Sequence, residues 1–220
     1  MLFPFLKRWQ FLLQPNQFSL YRESHCHYQI TVNPDIPLNE QIMDLVGKIP
    51  VNLPWQNSIE FILDIPYVQY ALIPWQAGLL TPTEHCQYAA MLIETQHNMP
   101  ADATKITFFD HRYGENAFAA AMASELFVTL KNIASNARLR FQGCSTPFTH
   151  VLNNANKKLP ENIILACIGK DISSYAIRYQ QCWHSVLSLH MPEAEAAEQI
   201  KIISQLAGVP ELPWEQVGFL

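Results

Sequence analysis

Few residues of this chain stand at spacings that could do chemistry. His25-Cys26-His27 sets three metal-ligating side chains in a row. In a strand, alternation puts His25 and His27 on one face and Cys26 on the other. A tetrahedral metal site needs further ligands at defined spacing, and the sequence has neither HExxH nor CxxC. The pair therefore reads as an ordinary strand edge. His85-Cys86 falls in the first turn of an expected helix, where the dipole favours a thiolate. Cys86 also falls on the apolar stripe of that helix, which makes it a structural thiol. Asp110-His111-Arg112 lies where an expected strand leaves its sheet, a common place for site residues. With no GxSxG-type nucleophile, the trio reads as a solvated turn of charges. The seven glycines form no GxGxxG and no GxxxxGKS/T loop. A nucleotide site usually needs such an amide cradle and a metal-holding carboxylate.

The elements that must position these residues can be read from periodicity. FLLQPNQFSLYR (11–22) and HYQITVN (27–33) alternate and turn at Pro15-Asn16, so they predict a meander of short strands. The seventeen N-terminal residues, with Phe3, Phe5, Trp9 and Phe11, read as a loosely held terminus and a first strand rather than a signal peptide, the other reading being a contact for a membrane surface or a partner. Leu38, Ile42, Leu45, Val46 and Ile49 recur at helical spacing and predict a helix over 38–49 that ends before Pro50. IEFILDI (59–65) and YVQYALI (67–73), separated by Pro66, read as paired strands. Thr81-Pro82-Thr83-Glu84 is a capping box with proline at the first helical position. It opens a helix over about 82–97 whose expected buried stripe is Cys86, Ala89, Ala90 and Ile93. Strands follow at 105–110, within 114–123 and at 137–144, with a helix through Leu126, Leu130 and Ile133 before the third. Thr146-Pro147 opens another helix, strands at 162–169, 173–179 and 182–189 make a second meander, and a last helix covers 193–207 before a proline-rich tail.

Bulk composition bounds the function. The chain has 220 residues, 49% hydrophobic and 15% charged, with a net charge of −5. That balance excludes disorder and disfavours a nucleic-acid partner, since no Lys/Arg cluster is long enough to track phosphates. Five scattered cysteines without CxxC fit free thiols in a reducing compartment. No window reaches the ~18 apolar residues of a membrane span. Three Pro-Trp pairs, in VNLPWQN (51–57), ALIPWQ (71–76) and ELPWEQV (211–217), end or begin elements without a fixed period. Proline stops a strand ladder for want of an N–H. Trp75 then covers the strand end, either as a local plug or, with Tyr67 and Tyr70, as the lining of a groove for a partner segment.

The element order resembles a known family. IEFILDIPYVQYALIPW, LLTPTEHCQYAAMLIE, KITFF, AFAAAMA, ELFVTLKNIA, LRFQGCSTPFTHVLN and NIILACIGKDISSYAIRYQQCWHSVLSL follow one another as in the actin-like proteins of bacterial pilus and secretion machines. These are the type IV pilus protein PilM, its MSHA-pilus counterpart and the cytoplasmic part of the type II secretion protein GspL. The likeness spans about residues 10–205 and is one of pattern and order. It implies a mixed α/β, truncated actin-like (ribonuclease H-like) fold. The first half would occupy 1–158 with an inserted lobe at about 59–110, and a partial second half would occupy 159–220.

The resemblance also implies where this chain departs from the family. The second phosphate loop falls on Cys167, Gly169 and Ser173, with a thiol at the aspartate position, and a thiol cannot organise magnesium and phosphate as a carboxylate does. The first falls on Gln14-Pro15-Asn16-Gln17, without aspartate or glycine. The expectation is a degenerate fold with no cofactor, no metal and no enzymatic activity: a scaffold of a pilus or secretion inner-membrane platform. It would be cytoplasmic and held peripherally at the membrane by a partner. The implied partners are the cytoplasmic segment of an inner-membrane platform protein, bound in a groove at Tyr67, Tyr70 and Trp75, and an assembly ATPase. The exposed edge of the late meander offers a route to a homodimer. Two other readings stand beside this one. One is a nucleotide-binding actin-like ATPase with a non-standard phosphate site at Lys170, Asp171 and Ser173. The other is a thiol- or histidine-dependent enzyme using Cys167 or the His25–His27 pair.

Overall fold

The computed structural model describes residues 7–50, 56–79, 81–109, 112–152, 159–191 and 194–218. Asp110 and His111 and the tryptophan of the first Pro-Trp pair lie outside them. The described residues divide into two compact units, those within 7–68 and 123–146, and those within 69–122 and 147–218. The expected lobe boundary shifts accordingly. Residues 57–63 belong to the first sheet, and the lobe strands fall between 69 and 123.

The first unit is built on one five-stranded sheet. Strands β1 (Lys7–Leu13), β2 (Gln17–Arg22) and β3 (His25–Thr31) form an antiparallel meander. Helix α1 (Leu38–Gly47) then crosses to β4 (Asn57–Leu63), which pairs parallel with β1. In the second unit β5 (Gln69–Ile73) and helix α2 (Pro82–His97) begin the lobe. A single 3₁₀ turn (Ala101–Ala103), β6 (Thr104–Phe109) and β7 (Ala117–Ala123) complete it. The chain returns to the first unit with α3 (Ser124–Asn136) and β8 (Arg140–Ser145), parallel to β4, giving the order β3-β2-β1-β4-β8. Phe11, Phe18, Leu20, Phe61 and Leu13 make its core, all fully buried.

The rest of the second unit follows. After α4 (Pro147–Leu152) come β9 (Ile163–Cys167), β10 (Ile172–Tyr179) and β11 (Cys182–His190), again an antiparallel meander. Helix α5 (Ala196–Ala207) then leads to β12 (Trp214–Gln216), parallel to β9, in the order β11-β10-β9-β12. The lobe sheet, ordered β5-β7-β6, carries α2. Two expectations change here. The stretches 59–65 and 67–73 do not pair, because β4 stays in the five-stranded sheet and β5 pairs with β7. Cys86 is exposed. The buried residues of α2 are Ala89, Ala90 and Ile93, and the i, i+4 row back from Ile93 passes through Ala89 to His85, not Cys86.

The two meanders are built to one plan, rung by rung. Each outer hairpin turns on two residues with left-handed backbone, Glu23 and Ser24 (φ 51 and 64) in one and Gln180 and Gln181 (φ 52 and 70) in the other. Such two-residue turns match the twist of the strands. Each hairpin has a bulge at the same distance from its turn, between Leu20 and Tyr21 and between Ile177 and Arg178. The extra residue in the partner strand is His27 in one and His184 in the other. The repeat extends into the helices. Gln41 donates to the carbonyls of Asn33 (2.8 Å) and Ile36 (2.7 Å), eight and five residues back. Gln199 donates to Met191 (3.3 Å) and Ala194 (2.7 Å), again eight and five back. Both glutamines are buried. Counted outward from the turns, Leu13 matches Ala166, Gln14 matches Cys167 and Phe61 matches Trp214.

Candidate functional site

In an open sheet of this kind, ligands bind at the carboxyl ends of the strands where the chain direction of travel reverses. In the first unit that point lies between β1 and β4, which the chain leaves for opposite sides of the sheet. Asp64 sits there, donating its amide to the Leu13 carbonyl at 3.0 Å. Its carboxylate accepts from the Ile65 amide at 2.8 Å and from the Gln14 side chain. Burial nonetheless dominates and pushes the Asp64 carboxyl up to about 6. The hairpin beyond Gln14 closes through its amide on the Gln17 carbonyl at 3.1 Å. Nothing in the sequence singled out Asp64: it lies inside the apolar run IEFILDI, and the only signal was an acid where buried acids are rare.

The matching point of the second unit lies between β9 and β12, with Val217 donating to the Ala166 carbonyl at 2.8 Å. Cys167 is buried there at 3% exposure. The β9–β10 loop is tight at Gly169: a Cβ there would lie 2.2 Å from the Ile172 carbonyl oxygen, so only glycine fits. The Gly169 amide donates to the Ser173 hydroxyl at 3.3 Å. Cys167, Gly169 and Ser173 thus do sit together, with Lys170 exposed and Asp171 half-buried in the same loop. At the two matched positions the side chains on offer are a buried thiol and an amide, neither an ionised oxygen of the kind that holds magnesium. Removing the Asp64 carboxylate has a defined consequence. Asp64 prefers its protonated form in the fold, so the stability it contributes is full below about pH 4, falls as pH rises to about 6, and is gone above. Asp64→Asn should therefore stabilise the protein by about 1–3 kcal/mol at pH 7.5 and leave it nearly unchanged at about pH 3.5, as read from urea unfolding at both pH values. An equal effect at the two pH values would contradict this placement of the carboxyl.

Each of the three aromatic residues of the expected groove packs among neighbours of its own unit. Tyr70 is a core residue at 4% exposure, its ring 5.0 Å from Phe148 and 5.8 Å from Phe118. It cannot line an open groove. Tyr67 belongs to the first unit, half-buried with its ring 6.2 Å from Phe18. Trp75, in the second unit, is half-buried within a different cluster. Its ring meets Tyr113 edge-on at 4.7 Å and His85 at 5.7 Å, and Tyr113 is 91% exposed. Asn116 fixes this cluster: it accepts from the Trp75 amide at 3.1 Å and donates to the Trp183 carbonyl at 3.3 Å. The sequence carried no mark of Tyr113 or Asn116, which sit in a loop. The His25–His27 pair is likewise divided between local contacts, His25 Nδ1 lying 2.8 Å from the Glu23 carbonyl and the His27 ring 5.2 Å from Trp9. Among the described residues no group of three His, Cys, Asp or Glu is placed to hold a metal.

No protein-family model matches the sequence, and no curated protein matches it. Solved structures do. A Bacteroides thetaiotaomicron protein with actin-like ATPase fold and unknown function has a TM-score of 0.62 at 10% identity, over 99% of this chain and 84% of that one. The cytoplasmic domain of EpsL, an inner membrane component of the type II secretion system of Vibrio cholerae, has a TM-score of 0.54 at 9% identity, over 96% and 81%. The PilM–PilN type IV pilus biogenesis complex has a TM-score of 0.55 at 11% identity, over 94% and 67%. The chain has the actin-like fold, in agreement with the resemblance read from its element order, and the repeated meander–helix–strand plan is how that fold is realised here.

Proposed function

We propose that this protein is a non-enzymatic assembly component of a pilus or secretion platform at the inner face of the cytoplasmic membrane, working by protein–protein recognition. The observation that carries the reading is the pair of matched hairpin positions, Gln14 and buried Cys167, neither of which offers a carboxylate to a metal-bound phosphate. The fold shared with EpsL and PilM supports the setting. Among the described residues no helix is long and apolar enough to cross a membrane; in this proposal the protein is held at the membrane by a partner. The recognition surface is the Trp75–Tyr113 pair: an exposed aromatic side chain braced by a half-buried one is a usual anchor for a partner segment.

Isothermal titration with peptides spanning the cytoplasmic segments of inner-membrane pilus and secretion proteins tests this. One such peptide should bind, and Trp75→Ala should weaken it by about tenfold to a hundredfold without changing thermal unfolding by more than a few degrees. Unchanged binding by the variant would remove Trp75 from the site, and failure of every peptide would remove the platform reading.

A further inference from the structure

We infer that the outer edge of β12 is a docking site for an extended segment of another polypeptide, added parallel to β12. The inference goes beyond the platform reading and does not depend on it, because it comes from comparing the two meanders. In the first unit β4 is flanked on both sides, by β1 and by β8. In the second, β12 holds the place of β4, and among the described residues it is the end of its sheet. The difference appears in the matched aromatic positions. Phe61 is fully buried, its ring 5.5 Å from Phe11 on β1 and 6.1 Å from Phe141 on β8. Trp214, on the same rung beside Ile164, is 40% exposed. An indole thus stands uncovered where the first unit packs an aromatic ring against its fifth strand.

The backbone of β12 is ready for that strand. The Ile164 amide donates to Pro213 at 3.0 Å and the Val217 amide to Ala166 at 2.8 Å. In a parallel ladder this register aims the peptide groups of Glu215 at β9 and those of Trp214 and Gln216 outward. Strand addition uses such outward groups for affinity and side-chain pockets for specificity. The first unit specifies the chemistry of the incoming segment. Its β8 runs parallel to β4 and places Phe141 opposite Ile59, one diagonal step from Phe61. The partner is accordingly a parallel strand with a large apolar side chain over the Trp214 indole. A second copy of β12 does not suit. Twofold pairing is antiparallel, and centred on this short strand it sets Glu215 against its own copy, where like charges repel.

The probe is a labelled peptide of residues 138–147 (RLRFQGCSTP), which contains β8, the fifth strand of the first unit's sheet, titrated into the 220-residue protein and followed by anisotropy and indole fluorescence. Saturable binding is expected. Trp214→Ala should weaken it by about tenfold. Gln216→Pro, which removes an outward amide and leaves the bonds to β9, should abolish it, with unfolding curves confirming that both variants fold. No saturable binding, or binding indifferent to both substitutions, would overturn the inference. So would a concentration-dependent dimer, seen by sedimentation and lost on Gln216→Pro, since the edge would then belong to a second copy.

Discussion

Replacing Gln199 by methionine should destabilise the protein by about 3 kcal/mol and lower its melting temperature by roughly 5–12 °C. Methionine keeps the volume and the apolar stem and removes only the amide. Its loss leaves the Met191 and Ala194 carbonyls without their donor and the Tyr175 hydroxyl without its acceptor, and Gln199 is 2% exposed, so water cannot readily replace it. Each buried polar group deprived of its partner costs about 1–3 kcal/mol. Burial has raised the Tyr175 hydroxyl above its ordinary range, so it stays neutral and has a proton to donate. Gln41→Met should act in the same direction, because Gln41 also accepts from the Asn33 amide at 2.9 Å in addition to its two donated bonds. Thermal and urea unfolding measure both. If either variant unfolds within about 0.5 kcal/mol of the parent, the glutamine latch is decoration and the shared plan of the two meanders is a matter of strand pairing alone.

That latch shows why the repeat escaped the sequence. Gln41 and Gln199 are polar residues in amphipathic helices, and nothing in LNEQIMDLVG or AAEQIKIISQLA marks either as buried. The hairpins hide their likeness in the same way. Glu23-Ser24 and Gln180-Gln181 share a backbone conformation and no residue type, because a two-residue turn constrains φ more than identity. What repeats is the hydrogen-bond ladder. The recurrence that is visible, LPW at 53–55 and 212–214, is misleading as a guide to register: the second enters β12 itself at the rung of Phe61, while the first precedes β4.

Other features were legible because one physical cause dominated. The capping box at Thr81 forms as expected, with Thr81 accepting from the Glu84 amide at 3.2 Å and Glu84 accepting from the Thr81 amide at 2.8 Å. Strand β12 was hidden by Pro210 and Pro213, which read as a tail. Proline in a strand removes a donor, but Pro213 is used here only as an acceptor, for Ile164. The pairing of 59–65 with 67–73 failed because consecutive strands usually neighbour each other, and the sheet change at Pro66 leaves no compositional trace. At the candidate site the positions Cys167, Gly169 and Ser173 followed from the element order, whereas Asp64 and Tyr113 did not. Their roles depend on neighbours supplied by Gln14 and by Trp75.

A nucleotide is the ligand that most sharply divides the readings of this fold. A phosphate loop binds by aiming backbone amides and a metal at the anion. Here the Gly169 amide already donates to Ser173, the Gln14 amide is engaged with Gln17, and the carboxylate at Asp64 is the one that burial drives toward its neutral form. A bound metal would have to overcome that preference before it met any phosphate. Replacing Cys167 by aspartate would add a second carboxylate at the matched position and should still not create a site, because Gln14 remains. Calorimetric titration of magnesium-ATP into the protein and into Cys167→Asp is therefore the most direct measurement. No saturable heat in either is expected of a scaffold that has kept the actin-like fold without its nucleotide. Binding at micromolar concentration by the unaltered protein would contradict it, and would assign the phosphates to Lys170, Asp171 and Ser173.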